Sequence, residues 1–248
     1  MKKVVLAFAA FSIAITSLNS CNKNSSTNTP TVSNDAPTVP VPSDAFGAFV
    51  AVMVSSTQTV AGITVPVQAN TAAAWFGTAT THVDGGNVTC ESNALTNISN
   101  NYIFKPTTTS TSIDLTTPID WSVSGNSANG VSAFSKSDYG FFPTISDIAN
   151  TGDVSTTSTF TLTASGLNAS GADSVIFNVA GPSGRVTKVR PAGTSACTFS
   201  AAEMGTVGTG SGIIQIAPYS VSKDVTTTPG KTYYFVRESC ANKLVTFK

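Results

Sequence analysis

The one histidine of the chain, His82, sits in Thr81-His82-Val83-Asp84-Gly85-Gly86. On an extended strand residues i and i+2 point to the same face, so His82 and Asp84 could share a metal ion. A zinc site takes three or more protein ligands, and there is no second histidine. The pair therefore reads as a polar residue flanking an Asp-Gly-Gly-Asn turn. Serine is abundant, yet no G-x-S-x-G elbow is present to expose a nucleophile at a strand-to-helix turn. Glycoside hydrolysis needs two carboxylates flanking a cleft, for which Asp138, Asp147, Asp153 and Glu203 are the candidates. The three aspartates could also offer oxygens to calcium, but they lack the spacing of a calcium loop. A non-catalytic protein is expected, with no cofactor and no metal ligand set.

Aromatic residues are the stronger binding signal. Asp138-Tyr139-Gly140-Phe141-Phe142-Pro143 places three rings in a loop-forming stretch. Rings supply contact area at low entropy cost, so Tyr139, Phe141 and Phe142 are candidate ligand contacts for a sugar face or a protein groove. The alternative is that Phe141 and Phe142 plug the end of a sandwich. Trp75 and Trp121 fit core positions better.

Lysine plus arginine and aspartate plus glutamate number 13 each, for a formal net charge of +0. No basic stripe is present to neutralise phosphates, so a nucleic-acid partner is not expected. Beyond Cys21 the cysteines are Cys90, Cys197 and Cys240. An oxidising compartment would permit a disulfide. Cys197 and Cys240, both beside C-terminal strand segments, are the favoured pair; three free, buried thiols are the equal alternative.

The chain opens with Met1-Lys2-Lys3, followed by the uncharged run Val4–Thr16. That run is short of the ~20 residues a membrane span needs and has the flanks of a secretory signal. It ends in Leu18-Asn19-Ser20-Cys21, which resembles the lipobox of bacterial lipoproteins. The resemblance implies cleavage before Cys21 and acylation of that residue. Asn22 stands where an aspartate would resemble an inner-membrane retention signal, so outer-membrane delivery is expected, with the periplasmic or surface face left open. Residues 22–43, rich in Ser, Thr, Asn and Pro, bury too little area to fold and read as an extended tether.

Short alternating segments fill the rest. Phe46–Ser55 is apolar on both faces, as a central buried strand would be. Ile119–Val123 and Thr159–Ala164 alternate cleanly. Ser174–Val179 and Arg185–Arg190 flank Gly181-Pro182-Ser183-Gly184 as a hairpin. Ser200-Ala201-Ala202-Glu203 resembles a capping box opening one helical turn. Gly212–Ala217, Thr232–Glu238 and, after Asn242, Lys243–Phe247 complete the strands. The expected fold is all-β, an immunoglobulin-like β-sandwich architecture after a signal peptide (1–20) and a lipid-anchored tether (21–43); two contiguous β units, 44–156 and 157–248, are preferred to one large sandwich begun at Phe46.

The phrases Ala172-Asp173-Ser174-Val175, Phe199-Ser200-Ala201-Ala202-Glu203-Met204 and Gly230-Lys231-Thr232-Tyr233-Tyr234-Phe235-Val236 resemble segments of uncharacterised lipoproteins of Bacteroidetes-type bacteria. That resemblance implies an envelope location and a β-rich fold and carries no activity. The functional expectation is a membrane-anchored binding or adhesion module for a glycan or envelope protein. The alternatives are a structural or assembly component of the envelope and, less favoured, a polysaccharide hydrolase.

Overall fold

A computed structural model describes residues 42–60, 63–78, 81–106, 112–115 and 118–248. The expected leader, Cys21 and the expected tether up to residue 41 lie outside the described residues. In chain order the strands are β1 (Gly47–Val60), β2 (Ile63–Gln68), β3 (Thr71–Gly77), β4 (His82–Val83), β5 (Val88–Cys90), β6 (Asn93–Ala94), β7 (Thr96–Ile98), β8 (Asn101–Ile103) and β9 (Ile119–Val123). They continue as β10 (Phe134–Asp138), β11 (Asp147–Ile148), β12 (Phe160–Ser165), β13 (Ser174–Ala180), β14 (Arg185–Pro191), β15 (Ala196–Phe199), β16 (Gly210–Asp224) and β17 (Tyr233–Phe247). One short helix, α1 (Ala201–Gly205), precedes β16.

The fold is all-β and sandwich-like. A ten-stranded sheet runs β14-β13-β16-β17-β1-β3-β8-β7, with β2 beside β1 and β4 beside β3. Two smaller sheets, β10-β9-β5-β6 and β11-β12-β15, complete it. Strand pairs in the large sheet are antiparallel except β1 with β17, which run parallel from Gly47↔Tyr233 to Ser56↔Asn242. Strands from both sides of residue 156 thus share one sheet: β1 and β3 from the first expected unit, β13, β14, β16 and β17 from the second.

Side chains alternate across a strand, and β17 shows what this does. Tyr233 and Phe235 enter one apolar core, and Ala241 and Phe247 enter a second core on the same face. The first core is closed by Ile119, Trp121 and Val123 of β9. The second is closed by Leu162, Cys197 and Phe199 from β12 and β15 with Met204 of α1. The opposite face of β17 carries Val236 and Cys240 beside Ile176, Ala217 and Val52.

That opposite face also holds a buried polar ladder. Asn178 Nδ2 donates to Gln215 Oε1 at 2.5 Å, Gln215 Nε2 to Asn242 Oδ1 at 2.9 Å, and Thr187 Oγ1 to Asn178 Oδ1 at 2.8 Å. Such a ladder satisfies buried amides within the sheet. It explains a departure from expectation: Asn242, read as a strand end, sits inside a single 15-residue strand. Lys243–Phe247 is the continuation of Thr232–Glu238, not a separate strand.

The favoured disulfide does not form. Cys197 and Cys240 are free and buried, Cys197 in the second core and Cys240 in the cluster on the far face of the large sheet. A bridge needs Cα atoms within ~7 Å, and a whole sheet separates these two thiols. Cys90 is the third free, buried cysteine. The capping box forms as read: Ser200 and Glu203 cap each other's backbone at the start of α1.

Candidate binding site

β10 pairs with β9 from Phe134↔Val123 to Asp138↔Ile119 and leads into the loop of three rings. Of these, Phe142 is half-buried and packs on the first core. Tyr139 and Phe141 do not; they are 71% and 78% exposed. The core-plugging alternative therefore holds for Phe142 alone, and the two outer rings stand in solvent.

What holds them there is a buried cation. Arg237 of β17 lies on the same face as Tyr233 and Phe235, between the two cores. Its Nη1 donates to Asp138 Oδ1 at 2.8 Å, with both side chains nearly fully buried. Its Nε donates to Ser220 Oγ at 3.2 Å, and that hydroxyl donates to the Phe141 carbonyl at 3.2 Å. Ser222 Oγ adds a donor to Asp138 Oδ1 at 3.3 Å. The first and fourth residues of Asp138–Phe141 are thus tied to one guanidinium and its serine. Gly140, between them, lies directly on Arg237: a Cβ at this position would fall inside the guanidinium group. The glycine is required by close approach, as it is where backbone presses on a polar group.

This geometry suits contact with a ligand or partner surface. Exposed rings on a loop fixed by buried hydrogen bonds lose little freedom on binding, which favours affinity. A buried ion pair with additional hydrogen bonds is strongly coupled: breaking one partner leaves an uncompensated charge.

The other candidate residues are engaged elsewhere. His82 Nδ1 is 2.8 Å from Asn101 Oδ1, and the ring stacks on Trp75 at 4.8 Å between centroids. The Asp84 carboxylate accepts from the Tyr102 hydroxyl, from Gly86 N at 3.0 Å, from Asn97 Nδ2 at 3.2 Å and from Asn126 Nδ2 at 3.1 Å. The Tyr102 bond, then the other donors, lower its pKa. Burial, then the bond to Asp84, push the Tyr102 hydroxyl up to about 12. His82 and Asp84 thus tie loops together instead of sharing a ligand.

The carboxylates considered for glycoside chemistry are each in an ion pair: Asp138 with Arg237, Asp147 with Lys243 at 3.5 Å, Asp153 with Lys248, and Glu203 with Lys188 at 2.7 Å. Among the described residues no group of three or more His, Cys, Asp and Glu side chains is placed to hold a metal ion.

Sequence reading missed Arg237, Ser220 and Ser222. One signal was available: Arg237 directly follows the apolar run Tyr233–Val236 in the same strand segment, and a buried charge requires a partner. Its partner is 99 residues away, so no local pattern identifies it. No protein-family model matches the chain, and none of the curated proteins matches it in sequence.

Proposed function

We propose that this chain is a non-catalytic binding module of the cell envelope, tethered to the outer membrane through an acylated Cys21, with Tyr139 and Phe141 as its contact rings. The observation that carries this reading is the exposure of both rings on a loop that Arg237 and Ser220 hold from beneath. An exposed aromatic pair has no packing role to explain it, whereas a rigid aromatic anchor is what a recognition loop needs.

The assembly alternative gains less from the structure. Strand β14 at one edge of the large sheet carries Arg185, Lys188 and Arg190 and ends at Pro191. β7 at the other edge is three residues long. Charge, proline and shortness all discourage the addition of a further strand.

The test compares the wild-type chain with Tyr139→Ala/Phe141→Ala for retention on immobilised envelope extract. Both positions are exposed, so melting should move little, within about 0.5 kcal/mol. Retention should fall at least tenfold. Unchanged retention would remove the ring loop from the function. Protease shaving of intact cells would separately decide which side of the outer membrane the module faces.

A further inference from the structure

The outward face of the β5-β6-β9-β10 sheet bears a groove of about 360 Å3, lined by Thr89, Ser92, Asp120, Ser122, Ser135 and Ser137 among others. We propose that this groove is a saccharide-binding site continuous with the ring loop; the inference rests on the binding-module reading and names its ligand class.

The arrangement follows from register. Thr89 pairs with Ser122, and Ser122 with Ser135. Three hydroxyls therefore stand in a row across three strands, about 4.8 Å apart. That interval is close to the advance of one pyranose residue along an extended glycan. In the next row, Ser137 pairs with Asp120, and Ser137 Oγ donates to Asp120 Oδ1 at 2.6 Å. Alternation along β10 puts Ser135 and Ser137 outward and Phe134 and Asp138 inward. Tyr139 follows Asp138 just past the strand end and is exposed. The hydroxyl row and the carboxylate thus lie along one surface, and the strand that carries Ser135 and Ser137 runs on into the ring loop.

The chemistry of the lining selects the ligand. Thr89, Ser92, Ser122 and Ser135 make no side-chain hydrogen bond within the described protein, so each can still both donate and accept. A sugar hydroxyl has the same dual capacity. Asp120 keeps its second oxygen as an acceptor for a ligand hydroxyl. Lys136, which also lines the groove, is already paired with Asp224 at 2.7 Å. With the cation engaged and a carboxylate in the groove, anionic ligands are disfavoured and neutral polyols fit.

Backbone strain gives an independent sign. The two residues joining β5 to β6 are Glu91 at φ 48° and Ser92 at φ 60°. A two-residue turn with both φ values positive ordinarily takes Asn-Gly or Asp-Gly. Neither Glu nor Ser favours this conformation, and such strain concentrates at functional positions. Here each residue has a task in the groove. Glu91 accepts from Asp120 N with its carboxylate at 2.7 Å and donates its own N–H to Asp120 O at 2.8 Å, fixing the backbone of the groove's acid. Ser92 forms the rim.

The test is affinity electrophoresis of the full chain in native gels cast with soluble mannan, xylan, mixed-linkage β-glucan or galactan. At least one of these should retard the wild-type chain. Ser122→Val/Ser135→Val removes two hydroxyls and places strand-favouring, apolar side chains at exposed positions, so affinity should weaken roughly tenfold. Asp120→Asn should weaken it as well, with far-ultraviolet dichroism unchanged in all variants. Retardation of Ser122→Val/Ser135→Val equal to wild type would overturn the groove while leaving the ring loop standing. Loss in that variant with full binding in Tyr139→Ala/Phe141→Ala would uphold the groove and remove the rings. No retardation by any of the four polysaccharides would overturn the saccharide inference, and retention on envelope extract would then judge the ring loop alone.

Discussion

The two cores under the large sheet are built from different materials. The first is aromatic: Phe49 meets Phe76, Trp121, Phe134 and Tyr233 edge-on and stacks on Phe235 at 4.9 Å. The second is mainly aliphatic, with Ile148, Leu162, Val175, Val179, Ile214 and Ile216 around Phe177 and Phe199. Edge-to-face rings hold their neighbours in defined orientations, adding ~0.5–1.5 kcal/mol per pair beyond burial. Aliphatic cores tolerate exchange if volume is kept. Both proposed contact surfaces stand on the aromatic core: β9 sends Trp121 inward to Phe49 and Asp120 and Ser122 outward to the groove. The aromatic half supplies orientation, and the aliphatic half supplies burial.

The seam between the halves is where the contrast breaks most easily. Arg237→Ala should cost ~3–5 kcal/mol by leaving Asp138 buried and unpaired. Replacing both, as Arg237→Met/Asp138→Leu, should recover much of the stability in urea unfolding without restoring the ring loop. Next in size, Phe49→Leu should cost about 3 kcal/mol and Phe177→Leu only about 1–1.5 kcal/mol, because leucine cannot remake ring geometry yet fits an aliphatic neighbourhood. Equal costs in chemical denaturation would erase the distinction between the cores.

The far face of the sheet offers a pH-dependent contrast. Glu238 is fully buried with Oε1 unpartnered, and burial raises its pKa well above the ordinary value. A carboxyl raised on folding binds protons more tightly in the native state. Native stability is therefore greatest below the unfolded pKa and declines as pH rises through the folded one. Glu238→Gln should leave melting at pH 4 nearly unchanged and raise it at pH 8, each ~1 kcal/mol appearing as ~2–4 °C.

The smallest effect has the opposite sign with pH. Glu203 is held down to about 2 by its bond to Lys188 and then by the Ser200 backbone. That contribution is present above the unfolded pKa and is lost as pH falls through the folded one. Ser200→Ala should remove ~1 kcal/mol at pH 7 and less at pH 2, as followed by thermal melting.

Alternation made β9 and β12 legible, because each shows one face to a core and one to water; the β13–β14 hairpin was legible from its Gly181–Gly184 turn, although β13 is buried on both faces. The capping box was legible because both of its residues lie within one turn. The loop of three rings was legible from its glycine and proline. The groove was not, since Thr89, Ser122 and Ser135 are ordinary outward strand residues until register aligns them. Nor was the full length of β17, because Asn242 reads as a turn residue wherever its amide partner Gln215 is unseen. The cysteines misled for a related reason: Cys197 and Cys240 both lie on C-terminal strands, and only the sheet between them forbids the bridge.

The parallel pairing of β1 with β17 has a consequence in time. β17 lies between β16 and β1 at the middle of the large sheet, yet it follows every other strand in chain order. As the polypeptide is made, β1 and β16 each wait with an open side for a neighbour that does not yet exist. Closing so long a loop delays folding, and an unfilled edge invites a wrong partner. The sheet completes only when its central strand arrives, so the chain acquires its fold as a whole polymer rather than by successive addition of finished halves.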